Sequence, residues 1–381
     1  MNGKKRKILL DCTTLSKKTD GLTQYTLSIL LEMLKETDSN FLIIYRDDEL
    51  PTNYLNEIKT FDQRVELEIV KISPIGPKRD YEFLKWFKNN KNRFDFFYEP
   101  SAQYPLGITG GVYTVHDILY EEYPEKLGSF AWLKKIYLHH VVRRGLKKAK
   151  SVIAVSQFTK DEICKYHGEN FKDKISVVYE GYEHLQNIKI LKNDNFIKNY
   201  LKINEQFFLY IGSSRGHKNL HNLFLAYKKA AVNWKLVVIG RMDRLEDSDK
   251  ELVNIINKDE RKIIFTDWIE DNIMYTILSE ASAFIFPSKS EGFGIPILEA
   301  WFFNIPLLCS DIPVFNEIAK DGCFKFFPLD TDNIACKLKE FIKLSDLEKQ
   351  SLIEKQNSYL KHYSWKKTAT KIATLLLEQN Y

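Results

Sequence analysis

Residues 284–300 have the sequence Phe-Ile-Phe-Pro-Ser-Lys-Ser-Glu-Gly-Phe-Gly-Ile-Pro-Ile-Leu-Glu-Ala. The apolar beginning, together with Ala283, predicts a short strand buried in a parallel sheet. Pro287 ends that strand, a loop rich in small residues follows at 288–294, and Pro296 suits the first turn of a helix. Glycine lets a ligand approach such a loop closely, and the N-terminus of the helix favours phosphate. The stretch therefore predicts an anion-binding turn between a strand and a helix.

Two carboxylates in the same stretch do not fit a site for phosphate alone. Glu291 lies in the loop, and Glu299 lies one turn into the helix. Carboxylates repel phosphate, but they accept hydrogen bonds from hydroxyl groups. We therefore expect Glu299 to bind one diol of a ligand and Glu291 to bind another. A nucleotide sugar has this pattern, with a ribose and a hexose on either side of a diphosphate.

The rest of the chain alternates between strand and helix patterns. The strands predicted in the first half are 7–12, 41–45, 65–72, 94–98, 112–116, 152–155 and 175–179, and the helices are 23–35, 82–90, 130–148 and 159–167. The strands predicted in the second half are 207–211, 235–239, 262–266, 283–286, 306–309 and 324–327. The helices there are 218–231, 249–257, 271–279, 296–303, 314–320 and 333–343. This alternation predicts a doubly wound parallel sheet in each half, with helices on both faces.

The length of 381 residues suits two domains of similar size with a cleft between them. We predict an N-terminal domain at 1–187 and a nucleotide-sugar-binding domain, which contains Glu291 and Glu299, at 205–362. A polar segment at 188–204 is the predicted linker. Residues 363–381 contain an amphipathic helix, and Ser364 is suited to be its N-cap.

Composition excludes several classes of protein. There is no run of about 18 apolar residues that would cross a membrane, and no core of a signal peptide is present. The five cysteines are scattered without a Cys-x-x-Cys pair, which argues against a disulfide framework and a zinc site. A net charge of +5 is below the usual range of nucleic-acid-binding domains. We expect a cytoplasmic protein that does not bind nucleic acid.

The segment Ser-Glu-Gly-Phe-Gly-Ile-Pro-Ile-Leu-Glu-Ala, with seven residues between Glu291 and Glu299, resembles the signature of the retaining glycosyltransferases of family 4. The resemblance implies the GT-B fold, in which two Rossmann-like doubly wound domains face a central cleft, and it implies that the domain at 1–187 is the acceptor side. It also implies that the last helix crosses back to the first domain, and the sequence Tyr-Ser-Trp at 363–365 is similar to that crossing.

A second informative stretch, residues 210–220, is Tyr-Ile-Gly-Ser-Ser-Arg-Gly-His-Lys-Asn-Leu. A strand, a small polar loop and basic residues before a helix suit a diphosphate. Lys218 matches the lysine that binds the donor phosphates in the family. His217 stands where the family often has arginine, and Arg215 is the candidate replacement. The alternative is that Arg215 and Lys218 only cap exposed loop ends.

Further candidates come from the resemblance. His116, at the end of a predicted strand, is similar to the acceptor-side histidine that contacts the donor sugar; the alternative is a hydrogen-bonded core histidine. Asp117 either orients His116 or caps the next turn. Gly21 either lies against the donor or only permits a tight turn. Phe293 and Gly294 are expected to offer backbone N–H groups to the transferred sugar, although Phe293 also suits the core.

The nucleobase is expected near Trp268 and Ile269, which follow a predicted strand. The local pattern departs from the family's usual one, because Asp267 and Asn304 stand where glycine is common. These departures leave the base open. No Asp-x-Asp motif lies in a strand-end context typical of a metal site. We therefore expect no cofactor and no metal, with Lys218 and Arg215 neutralising the diphosphate.

The resemblance implies transfer of a hexose, with mannose from GDP-mannose as the leading candidate, to a glycan or lipid-linked acceptor in bacterial surface polysaccharide synthesis. Other enzymes of this fold, such as an epimerase or a phosphorylase, and a non-catalytic sugar-binding module remain alternatives. Aromatic and basic residues alternate at 130–150, and 78–93 is also basic and aromatic. These segments are either solvated helix faces or a surface that contacts the anionic inner face of the plasma membrane.

Overall fold

The computed structural model describes residues 6–16, 20–46, 50–191 and 195–378. The chain forms two compact units. The first contains the chain up to Gly181 together with the chain from Ser364 onward, and the second is Tyr182–Tyr363. Each unit is built on a parallel sheet with helices, as the alternation of strand and helix patterns predicts.

The first unit contains a sheet of seven strands in the order β3-β2-β1-β4-β5-β6-β7 within the described residues. The strands are β1 Lys7–Asp11, β2 Asn40–Tyr45, β3 Val65–Ile69, β4 Phe96–Glu99, β5 Val112–Val115, β6 Ser151–Ala154 and β7 Ile175–Val177. The helices are α1 Gly21–Glu36, α2 Thr52–Lys59, α3 Pro77–Asn90, α4 Leu119–Glu122, α5 Ala131–Lys148, α6 Gln157–His167 and, from the C-terminal segment, α15 Trp365–Leu377. Short 3₁₀ turns lie at Pro124–Leu127 and Glu169–Lys174.

The second unit contains a sheet of six strands in the order β10-β9-β8-β11-β12-β13 within the described residues. The strands are β8 Phe207–Ile211, β9 Lys235–Ile239, β10 Ile263–Phe265, β11 Ala283–Phe286, β12 Leu307–Ser310 and β13 Phe324–Phe326. The helices are α7 Phe196–Leu201, α8 Leu220–Ala230, α9 Asp247–Ile256, α10 Asp271–Ser279, α11 Ile295–Phe302, α12 Pro313–Ile318, α13 Thr331–Ile342 and α14 Asp346–Leu360. Short 3₁₀ turns lie at Glu183–Asn187, Gly216–Lys218 and Met242–Arg244.

The strand order reverses at one place in each sheet. In the first unit this place lies between β1 and β4, and in the second it lies between β8 and β11. Ligands of open α/β sheets bind outside the carboxyl ends of the strands where the order reverses. The loops after these four strands are therefore the places to look for a site, and the two stretches singled out in the sequence follow β8 and β11.

The structure contains helices that the sequence patterns did not predict, among them α2, α7 and α14. Helix α14 was missed because little of it is buried; only Gln356 and Leu360 of this helix are buried. Its start is marked by a capping box between Ser345 and Glu348. The described part of the predicted linker at 188–204 belongs to the second unit and includes α7, while residues 192–194 lie outside the described residues.

The last helix, α15, belongs to the first unit. It begins after the N-cap Ser364, whose hydroxyl accepts from Lys367 N. Trp365 is 1% exposed and lies edge-on to Tyr25 of α1, with ring centroids 5.7 Å apart. The Thr368 hydroxyl also donates to the Tyr179 carbonyl. The C-terminal segment is thus part of the core of the first unit.

Candidate functional site

The loops after β8 and β11 are joined directly. Lys289 N donates a 2.7 Å hydrogen bond to the carbonyl of His217. Next to this bond, Lys218 Nζ lies 2.6 Å from Glu291 Oε1, and the two side chains are only 20% and 12% exposed. The structure therefore brings together the cation that the sequence assigned to the diphosphate and a carboxylate that it assigned to a diol of the same ligand.

Lys218 is held in a partly apolar setting. Its Nζ lies 5.3 Å from the centroid of the Phe286 ring, at the end of β11. Attraction between a cation and an anion is stronger where water is partly excluded. Arg215 is exposed at the start of the same turn, and its carbonyl accepts from Lys218 N at 2.8 Å. A ligand that displaces Glu291 would meet one half-buried cation and one exposed guanidinium.

Asn219 fixes this arrangement, and sequence reasoning missed its role. It is 2% exposed and has a left-handed backbone (φ 63°), which asparagine tolerates better than most residues. Its Nδ2 donates to the carbonyls of Pro287 at 3.0 Å and Pro328 at 2.6 Å. One side-chain amide therefore holds the segments that follow β8, β11 and β13.

Gly294 requires its lack of a side chain. Its φ of 105° is in the left-handed region, and an added Cβ would lie 3.1 Å from Phe315 and 3.2 Å from Phe286. Phe293 is 3% exposed, and its ring packs edge-on against Tyr363 with centroids 5.8 Å apart. The ring of Phe293 is therefore part of the core, and only its backbone is suited to contact a ligand.

Glu299 is buried to 8% exposure on α11. Its Oε1 accepts a 2.8 Å hydrogen bond from the Tyr275 hydroxyl, and His184 Nε2 lies 3.7 Å from the same oxygen. In the preceding loop, the hydroxyls of Ser288 and Ser290 are buried without a hydrogen-bond partner in the part of the chain that the structure describes. Buried hydroxyls are usually satisfied, so this loop has bonding capacity that a polar ligand can use.

An open groove lies beside the carboxyl ends of β9 and β10. Its volume is about 630 Å³, and it is lined by Arg241, Met242, Asp243, Asp267 and Trp268. Trp268 is 61% exposed and Asp267 has a left-handed backbone (φ 56°). Ile269, in contrast, is buried at 9% exposure. Of the two residues expected near a nucleobase, Trp268 is therefore the one whose side chain lines the groove and is mostly exposed.

In the first unit, His116 is held by several contacts. Its Nε2 lies 2.7 Å from the Pro100 carbonyl, so this nitrogen carries the proton. Nδ1 lies 3.6 Å from Glu180 Oε1, and the ring packs edge-on against Tyr25 at 4.4 Å between centroids. Asp117 Oδ1 accepts from Leu119 N at 3.1 Å and so caps the next turn, one of the two roles considered for it.

Gly21 is the first residue of α1, and an added Cβ would meet nothing within 4 Å. The backbone there does not require glycine. The helix begins at the N-cap Asp20, whose carboxylate accepts from Thr23 N at 2.9 Å. Open space at Gly21 is compatible with a neighbouring ligand, while the turn itself is set by Asp20.

A buried charge cluster joins the ends of β1 and β4, where the order of the first sheet reverses. Arg79 Nη2 donates to Asp11 at 2.7 Å and to Glu99 at 3.1 Å, and Nη1 donates to the Gln103 carbonyl at 2.7 Å. Burial, and after it the charge of Asp11, raises the pKa of Glu99 well above its ordinary value. The sequence placed Arg79 in a basic segment with a solvated face or a membrane surface as its alternatives; the structure instead buries it to 1% exposure.

Comparisons with known proteins identify the family of this chain. A family model described as Glycosyl transferases group 1 matches residues 192–358, and one described as Glycosyltransferase Family 4 matches residues 64–184. The chain is 30% identical over 266 residues to the O-antigen chain mannosyltransferase RfbU of Salmonella typhimurium, a match that covers 70% of this chain and 69% of RfbU. It is 23% identical over 333 residues to O-antigen chain mannosyltransferase B of Escherichia coli, covering 85% and 84% of the two chains.

The crystal structure of HepE from Anabaena in complex with UDP and glucose has a similar fold. It superposes with a TM-score of 0.71 at 17% sequence identity and covers 97% of this chain and 98% of HepE. At this identity the likeness concerns the fold. The predicted fold class, two doubly wound α/β units of the GT-B type, is confirmed.

Proposed function

Because this chain belongs to the glycosyltransferases of group 1 and family 4, we propose that it is a retaining enzyme using a nucleotide diphosphate sugar. It transfers a hexose to a glycan or lipid-linked acceptor in the synthesis of a bacterial surface polysaccharide such as an O-antigen. The observation that carries the proposal is the contact between Lys218 and Glu291 at the point where the strand order of the second sheet reverses.

The donor is assigned to the second unit. Lys218 and Arg215 hold the diphosphate and stabilise its charge as it leaves, an electrostatic contribution to the transition state. Glu291 accepts hydrogen bonds from the hexose, and Glu299 accepts them from the ribose. The backbones of Phe293 and Gly294 face the transferred sugar. These positive groups make the transfer independent of a metal at the diphosphate.

No side chain in this assignment is placed as a covalent nucleophile. The acceptor hydroxyl attacks from the face that the leaving diphosphate occupies, and a phosphate oxygen of the donor takes its proton. His116 and Gly21 act on the sugar and acceptor side, with Asp117 fixing the turn that follows His116.

Mannose is the first candidate for the sugar because two relatives that match most of this chain are named O-antigen mannosyltransferases. GDP-mannose is the corresponding donor. The structural neighbour HepE binds UDP and glucose, which supports a nucleotide sugar as the class of donor without favouring GDP. The groove beside Trp268 is the proposed place for the base.

A donor screen tests this function. The full-length protein is incubated with each nucleotide sugar in turn, with and without lipid-linked glycan extracted from bacterial membranes, and nucleotide release is followed. We expect release of GDP from GDP-mannose that depends on the acceptor. Conversion of a donor without any acceptor would indicate an epimerase. Phosphate-dependent release of a sugar phosphate would indicate a phosphorylase, and saturable sugar binding without nucleotide release would indicate a binding module.

The first unit presents an apolar and basic surface that suits an acceptor held in a membrane. Four large apolar side chains at the start of α5 are 47–72% exposed: Phe130, Trp132, Leu133 and Ile136. Helix α5 is tied to α3 by Arg144, whose Nη2 lies 2.6 Å from Asp80 Oδ1. Both helices lead into strands of the parallel sheet, so their N-terminal ends lie at its carboxyl edge, the edge that carries His116.

We propose that this surface contacts anionic lipid at the cytoplasmic face of the plasma membrane. Within the described residues, no helix combines the length and the apolar character needed to span a bilayer. The association would therefore be peripheral, with Phe130 and Trp132 entering the interface and the exposed Lys134 attracting lipid phosphate.

Replacing both Phe130 and Trp132 by serine is expected to lower binding to phosphatidylglycerol vesicles at least ~10-fold, because the apolar contact is lost. Co-sedimentation at low ionic strength measures this effect. Leu347→Ser, at a residue of the second unit that is 83% exposed, is the control and should leave binding unchanged. Absence of wild-type binding at low ionic strength would exclude the membrane contact.

A further inference from the structure

Three side chains from α4, α5 and α6 converge in the first unit: Glu121, His139 and His167. One ligand atom from each lies within 4.8 Å of those of the other two. His139 Nδ1 is 2.6 Å from Glu121 Oε1. The imidazole rings of His139 and His167 stack with their centroids 4.3 Å apart and their planes at 25°. Two imidazoles and a carboxylate thus share one small space.

His167 has an unused nitrogen in this space. The residue is 3% exposed, and its Nδ1 has no hydrogen-bond partner in the described part of the chain. Its other nitrogen, Nε2, lies 3.4 Å from the Tyr120 hydroxyl. A neutral imidazole with one nitrogen oriented and the other open is the form that binds metals.

We propose that Glu121, His139 and His167 bind a divalent transition-metal ion, with Zn²⁺ as the best match. Two histidines and one glutamate form a known set of zinc ligands, with metal–ligand distances of about 2.0–2.2 Å. In a tetrahedral site the ligand atoms are about 3.4 Å apart, which follows from these bond lengths. Metal binding would therefore lengthen the 2.6 Å separation between His139 and Glu121 and shorten any separation near the 4.8 Å limit, through side-chain rotation.

One lysine competes with the metal for the carboxylate of Glu121. Lys135 Nζ lies 3.2 Å from Glu121 Oε2 and donates 2.8 Å to the Glu121 carbonyl. Arg143 adds positive charge nearby, because its Nη1 donates to the His167 carbonyl at 2.9 Å. Lys135 therefore occupies the carboxylate that the metal needs, and the ion has to compete with it.

The role of the ion is structural. Helix α4 is a single turn after β5, and it follows directly on the segment that carries His116 and Asp117. A metal bound by α4, α5 and α6 would fix this turn against two longer helices. This site lies in the first unit and shares no residue with the site proposed for the donor diphosphate. The zinc proposal can therefore be tested independently of the proposed function.

The test uses the full-length protein stripped of metal with chelator and titrated with ZnCl₂. Calorimetry should show one Zn²⁺ per chain, and saturating Zn²⁺ should raise the apparent unfolding temperature by about 5 °C. His139→Ala and His167→Ala should each weaken binding at least ~100-fold. His140→Ala is the matched control, since His140 is the exposed neighbour on α5 whose Nδ1 faces the Ile136 carbonyl.

Two milder variants keep the test valid if a histidine variant does not fold. Glu121→Gln should weaken Zn²⁺ binding, whereas Lys135→Met should strengthen it at least ~10-fold, because the competing cation is removed. Opposite signs from two neighbouring side chains would not arise from general destabilisation. Absence of micromolar Zn²⁺ binding to the wild-type chain, or binding that both histidine variants retain, would overturn the proposal.

Discussion

Lys218→Met is expected to lower sugar transfer at least ~100-fold and to abolish measurable binding of the nucleoside diphosphate. The methionine keeps an apolar stem beside Phe286 but removes the charge that we assign to the diphosphate. Both the bound donor and the leaving group lose the same partner, so affinity and turnover fall together. Calorimetry with GDP and UDP measures the first effect, and steady-state transfer measures the second.

Lys229→Met is the matched control for this variant. Lys229 lies on α8, 2.9 Å from the carboxylate of Asp332, and is 47% exposed. Like Lys218→Met, this variant removes the lysine of an ion pair in the second unit. The ion pair of Lys229, however, does not belong to the loops after β8 and β11. Lys218→Arg keeps the charge and should retain part of the affinity. Binding of GDP by Lys218→Met within two-fold of the wild type would disprove the assignment.

Glu291→Gln is expected to have a different profile. Transfer should fall about 100-fold, because the carboxylate that we assign to the hexose loses its charge. Affinity for the nucleoside diphosphate should stay the same or increase, because Glu291 no longer occupies Lys218. Without the donor, Lys218 and Glu291 bind each other. When the donor is bound, we expect Lys218 to bind its phosphate and Glu291 to bind its sugar. A split between turnover and affinity is the signature of this exchange of partners.

The double variant Lys218→Met with Glu291→Gln separates stability from catalysis. Breaking one side of a mostly buried ion pair leaves an uncompensated charge, whereas removing both sides does not. The double variant should therefore unfold at a higher temperature than Lys218→Met alone while remaining inactive. Asp332→Asn, the partner of the control lysine, should transfer sugar at the wild-type rate. Transfer by Glu291→Gln within three-fold of the wild type would contradict the role of this carboxylate.

The regular elements near the donor loops could be predicted because their signals are local. Strand β11 is a short apolar run ended by Pro287, and the structure places it at Ala283–Phe286 as predicted. The positive φ of Gly294 is likewise a property of one residue in one turn. The sequence predicted that Lys218 and Glu291 bind the same ligand. The structure shows that the two side chains also contact each other directly.

Asn219 and Arg79 could not be assigned from sequence, because their roles depend on partners far along the chain. Asn219 and Pro328 are 109 residues apart, and Arg79 and Asp11 are 68 apart. Neither residue has a local pattern that distinguishes it from an ordinary polar or basic residue. The cluster of Glu121, His139 and His167 was missed for the same reason, since the zinc patterns sought in the sequence were pairs of cysteines.

The amide of Asn219 also constrains how this enzyme can be re-engineered. The carbonyls that follow β11 and β13 accept from the same amide group of Asn219. A segment exchanged for that of a homologue therefore has to keep the distances between all three segments. Chimeras that exchange all three segments together should fold more often than those that exchange one. The surroundings of Trp268 lie outside that linkage, which makes them the easier place to evolve a new nucleotide preference by recombination.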